Sequence, residues 1–166
     1  MGPAGLFPRL AGPFSEGGIM PEKASATTTS DKVSLETAKA QIDSLLKHYD
    51  LEPDDIAIDQ GPEAMQTIMN GLVKSVQHGR LEINTEGKFQ VIQTLVNVSE
   101  DATITEVEYR EVSGASALSM DQKKGENAKR LAFLTNLTRI PEKELKKLKG
   151  VDWGTMRRLA DLFSVG

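Results

Sequence analysis

Apolar residues change their spacing twice along this chain, and that double switch limits the folds open to it. From Leu35 to Val76 they recur every three or four residues, the period of a helix with one buried face. From Leu81 to Tyr109 they alternate with polar residues, as in a strand with one face in water. Helical spacing returns after Glu126. The expected class is α+β, with two N-terminal helices, a three-stranded antiparallel β-meander and a C-terminal helical cluster.

Local signals divide these blocks further. Ser34 is placed to cap a helix running to Tyr49, with Leu35, Ala38, Ile42, Leu45 and Leu46 on its inner side. Pro53, Asp54 and Asp55 then read as a loop. Pro62 opens a second helix carrying Met65, Ile68, Met69, Leu72, Val73 and Val76, and Gly79 stops it. Leu81 and Ile83 start the strands, and Asn84-Thr85-Glu86-Gly87 is turn chemistry. Phe89, Val91 and Leu95 form a second strand, with Val96 and Val98 slipping out of phase. Thr103 to Arg110 forms a third, and Gly114 ends the sheet. A helix follows from Glu126 to Thr138. Pro141 begins a short one, Glu142 to Lys149, with Leu145 and Leu148 on its inner face. Gly150 caps it, and Asp152 is expected to N-cap a last helix holding Met156, Leu159, Leu162 and Phe163. Residues 1–32, rich in Gly, Pro, Ser and Thr, read as a disordered leader and linker. Residues 33–166 read as one α+β domain, made of a helical pair (33–79), the meander (80–111) and the helical cluster (115–166). Met20 is an alternative start.

Composition excludes several functions. The chain has 166 residues, which suits one small domain plus tails. There is no cysteine, so thiolate metal sites, disulfides and Cys nucleophiles are out. Two histidines are too few for a His-rich metal site. No apolar run approaches the roughly 18–20 residues of a spanning helix, so no membrane is expected. The prolines at 3, 8 and 13 interrupt any secretory h-region, and a cytosolic location fits. Charge is uneven. From Asp121 onward there are 11 Lys and Arg against 6 Asp and Glu, whereas residues 1–120 hold 9 against 18. A basic C-terminal part suggests an acidic partner or nucleic acid, or more simply a Lys-rich solvated helix face.

No catalytic constellation emerges, and no cofactor is implied. Glu106 and Glu108 share one strand face, the geometry of paired carboxylates, but that face is the polar one beside Arg110. Asp50, Glu52, Asp54, Asp55 and Asp59 lack the glycine and terminal glutamate of a calcium loop. His48 and His78 lie near helix C-termini, where a cation interacts well with the dipole. Phosphate-binding glycine loops and nucleophile elbows are missing. Trp153 beside Arg157 and Arg158 offers a weak nucleic-acid signal, outweighed by ordinary packing.

The ends of the meander and the C-terminal helices carry a further pattern. Ile104-Thr105-Glu106-Val107-Glu108-Tyr109-Arg110 is followed by Gly114-Ala115 and the Leu-rich stretch Arg130 to Leu137. Leu137-Thr138-Arg139-Ile140-Pro141, then Leu145, Leu148 and Asp152, close it. This arrangement resembles the phage tail assembly chaperone family over about residues 103–165. The resemblance implies a non-enzymatic protein of phage- or prophage-carrying bacteria, acting in the host cytoplasm. Its implied partner is the tape measure protein, a long amphipathic helix kept soluble until tail tube subunits surround it. Helix-in-groove binding suits that task. Leu145, Leu148, Met156, Leu159 and Phe163 are expected as the groove floor, and Lys146, Lys147, Arg157 and Arg158 as its rim. A structural virion accessory protein and a small nucleic-acid-binding regulator are the competing classes. A homo-oligomer is compatible with either.

Overall fold

Alternation turns Leu81, Ile83, Val91, Gln93, Val107 and Tyr109 to one face of a sheet, where all are buried. The strands are β1 (Leu81–Asn84), β2 (Gln90–Thr94) and β3 (Glu106–Tyr109), in spatial order β1-β2-β3. Both pairings are antiparallel, with Ile83 opposite Val91 and Val91 opposite Tyr109. The other face carries the exposed Glu82, Glu106 and Glu108 around a half-buried Ile92. The computed structural model describes residues 31–165; the expected leader over 1–32 therefore falls, but for its last two residues, outside the described residues. Among them the class is α+β, with seven helices and this one antiparallel sheet.

Three helices precede the sheet. The first, α1 (Leu35–His48), begins at Ser34, whose hydroxyl accepts the Thr37 N–H, and buries Ala38, Ile42, Leu45 and Leu46. The expected loop at Pro53 is instead a helix, α2 (Pro53–Gln60). Its start is doubly favoured. Pro53 fixes φ where no N–H is required, and Glu52 and Asp55 cap each other's backbone reciprocally. Asp54 and Asp55 then sit in the first turn, where the helix dipole favours negative charge. Gly61, at φ +92°, separates α2 from α3 (Pro62–Gln77).

Four helices follow the sheet: α4 (Gly114–Asp121), α5 (Glu126–Thr138), α6 (Glu142–Leu145) and α7 (Gly150–Phe163). α6 is a single turn, shorter than the expected Glu142–Lys149. α1 and α3 lie against β1, α5 lies against β3, and α7 packs on α3 and α5. One core results, shared by all blocks and including Leu72, Tyr109, Phe133, Leu145 and Leu159. A buried hydroxyl pair, Ser75 Oγ and Thr155 Oγ1 at 2.9 Å, joins α3 to α7.

Candidate partner-binding surface

The expected groove floor is occupied by the protein itself. Leu145, Met156 and Leu159 are fully buried, and Phe163 nearly so. Helix α7 lies between α3 and α5, and its apolar stripe meets both. Burying one such side chain stabilises the fold by roughly 1.5–3 kcal/mol, all of which a foreign helix would have to replace. These four residues are core, not floor. The expected rim is also dispersed. Lys146 pairs with Glu142 at 2.8 Å, Lys147 with Glu144 at 3.0 Å, and Arg157 approaches Asp161 at 3.8 Å. Arg158 lies across α3 at Gly71, filling the space a Cβ would take there. The nine residues do not converge on one groove.

Leu148 is the exception. It is half-buried and lines a shallow cleft with Val98, Ala102, Ile104 and Ile140, edged by Lys147 and Glu144. Three more apolar residues stand open at this end of the domain: Val96 at 52% exposure, Val98 at 39% and Val151 at 41%. The sequence marked Val96 and Val98 only as a slip of strand phase and gave none of the three a place in the surface. The signal was the slipped phase at Val96 and Val98, which puts large apolar side chains where no strand requires them.

A buried polar chain holds this end in place. Asp152 is the third residue of α7 and does not cap it; Lys149 is the N-cap residue. Its carboxylate, 1% exposed, instead accepts the Val96 N–H at 3.0 Å and the Asn97 N–H at 2.5 Å. The dipole at the start of α7 favours that charge. The Asp152 carbonyl accepts from Gln93 Nε2 at 2.9 Å, and Gln93 Oε1 accepts from the Tyr109 hydroxyl at 2.6 Å. Burial, and then the charge of Asp152, push the Tyr109 hydroxyl well above its ordinary range. Gly150 lets the loop approach. Its φ is +56°, and Asn97 lies 2.9 Å from where a Cβ would project. Val96 and Val98 are therefore displayed from a loop pinned to the first turn of α7.

The surroundings are basic with paired acids. Lys143 and Lys149 have no ion-pair partner among the described residues, whereas Lys146 and Lys147 do. A hydrogen bond from Ser99, helped by Lys147, holds the Asp101 carboxyl below its usual range. Lys146 does the same for Glu142. Elsewhere, Arg130 holds Asp161 at 2.8 Å. Five of the eleven C-terminal cations, Lys129, Arg130, Lys146, Lys147 and Arg157, thus have a carboxylate within 4 Å.

The other candidates have structural surroundings. Glu106 and Glu108 project from the exposed sheet face. The acidic stretch after Asp50 largely forms α2. His48 stacks on Phe89, with centroids 4.8 Å apart, and its Nε2 lies 2.6 Å from Glu111. His78 is the C-cap of α3, 3.2 Å from Asp31. Trp153 packs partly buried against the core. Among the described residues no three His, Asp or Glu side chains are grouped to hold a metal ion, and no helix is long and apolar enough to cross a membrane. No family model matches the chain, and no curated protein or solved structure does either.

Proposed function

We propose that this chain is a non-enzymatic tail assembly chaperone of phage or prophage origin, working in the bacterial cytoplasm on the tape measure protein. The supporting observation is the open apolar end of the domain, where Val96, Val98, Leu148 and Val151 stand exposed or half-exposed, with Lys147 edging the cleft and Lys149 next to Leu148. A tape measure helix exposes apolar stripes before assembly, and such stripes aggregate unless covered. Side chains of this end would cover part of a stripe, with the lysines facing acidic residues that flank it. Leu148 remains in the proposed contact; Leu145, Met156, Leu159 and Phe163 act beneath it as the core that holds the surface rigid. Lys146, Lys147, Arg130 and Arg157 are engaged by carboxylates of the chain, which leaves these four less free to contact phosphates.

A reusable chaperone must release its client, so affinity belongs near micromolar, about −8 kcal/mol. The test is co-purification with a tail tape measure protein and titration of the pair by calorimetry. Micromolar binding that Leu148→Asp removes from a still-folded protein is the expected result. Absence of binding by the wild type removes the proposal. Recovery of the protein in finished tail particles would instead assign it to the virion.

A further inference from the structure

We propose that the outer edge of β3 is a strand-addition site for an extended, basic segment of a partner protein. The Leu95 N–H donates to the Thr105 carbonyl at 2.9 Å, which sets the hydrogen-bonding phase between β2 and β3. Thr105, Val107 and Tyr109 therefore turn their backbone groups toward β2, and Glu106 and Glu108 turn theirs outward. Arg110 belongs to the outward set, and its N–H is taken by the Leu137 carbonyl at 3.0 Å. That contact closes one end of the edge. The backbone groups of Glu106 and Glu108 meet no protein partner among the described residues.

The opposite edge of the sheet is treated differently. On β1 the outward N–H of Ile83 is taken by Gln41 Oε1 at 3.1 Å, from the overlying α1. Among the described residues nothing covers the β3 edge. An open cavity of about 1050 Å³ runs beside it, walled by Thr103, Ile104, Glu106 and Glu108 on one side and by Asn136, Thr138 and Ile140 on the other. The strand proper, Glu106–Tyr109, offers four residues of edge, about 13 Å.

Charge selects the occupant. Glu106 and Glu108 are exposed on the same face, neither has an ion-pair partner among the described residues, and Glu82 lies across the sheet beyond Ile92. Lys88, Arg110, Glu111 and Arg139 also line the cavity, with Arg110 at the closed end. The cavity as a whole holds three bases and three acids, but on the open stretch of the strand itself the charged side chains are Glu106 and Glu108. A second copy is a poor occupant, because antiparallel self-pairing that engages Glu106 and Glu108 sets glutamate opposite or diagonal to glutamate. A strand with Lys or Arg at alternate positions meets both carboxylates and supplies the missing backbone partners. This site adjoins the apolar cleft, with Ile104 and Ile140 lining both, but its argument does not depend on the role proposed for the apolar end.

The probe is a capped Lys-Val-Lys-Val-Lys-Val-Lys peptide added to the full chain. Amide hydrogen exchange should slow at Glu106 and Glu108. Replacing both with lysine should weaken the peptide about tenfold and make a Glu-Val alternating peptide the better ligand. Both residues are exposed, so the fold should survive, and the wild-type exchange result stands without the variant. Equal binding by an N-methylated peptide unable to pair along its backbone would overturn the proposal, as would protection located elsewhere. Protection that appears with protein concentration alone would overturn it in favour of self-association.

Discussion

At the residue scale, Asp152 carries the most consequence. Its carboxylate satisfies two backbone N–H groups of a loop that has no ladder to join. Asp152→Ala leaves those donors without their acceptor and should cost about 2–4 kcal/mol, read as a fall in the denaturant midpoint. Tyr109 supplies a pH dependence. Its folded pKa is raised above the ordinary value of 10.0, so the folded protein keeps a proton that the unfolded chain gives up. The associated stability is fully present below about pH 10 and is lost as pH rises toward the folded value. Denaturant midpoints from pH 8 to pH 11 should decline at the top of that range. Tyr109→Phe should flatten the decline, while lowering stability by about 1–2 kcal/mol at neutral pH because Gln93 Oε1 loses its donor. The sequence read Asp152 as a cap because an aspartate before an apolar helical run usually is one. Gln93 gave a better hint, being a polar residue in the buried phase of a strand.

Elements were legible in proportion to how strongly burial enforces their period. The meander stood out because one face of the sheet is core and the other is water, so every second residue is constrained. Helix α5 spans the range its leucines define. Helix α2 was hidden because it buries only Ile56 and exposes Ile58, so its start rests on capping and not on an apolar stripe. Helix α4 inverts the usual pattern, burying Ser116 against Asn136 and exposing Leu118. No periodicity rule finds such a helix. Between α3 and α7, the Ser75–Thr155 pair gives a prediction of its own. Ser75 donates to the Gly71 carbonyl, so Thr155 must donate to Ser75. Ser75→Ala should cost about 1–3 kcal/mol by stranding the threonine. Adding Thr155→Val should restore much of that loss, a coupling that a double-mutant cycle in urea would measure.

For the whole molecule, the sequence led to a surface expected on the C-terminal helices, and the structure encloses most of the apolar side chains named for it. Leucine spacing on α6 and α7 is the same whether the stripe faces a partner or the domain's own sheet and helices. Only the assembled core separates Leu145, which is fully enclosed, from Leu148, which reaches the cleft. Substituting each therefore distinguishes packing from recognition. Leu145→Asp should unfold the domain, since an unpaired charge cannot be accommodated there. Leu148→Asp should leave the circular dichroism spectrum and the thermal midpoint near wild type. The decisive measurement is calorimetric titration of a tape measure protein into wild type and into the folded Leu148→Asp variant. Micromolar binding by the first and none by the second is the predicted outcome; equal affinity for both, or no heat with either, would contradict it.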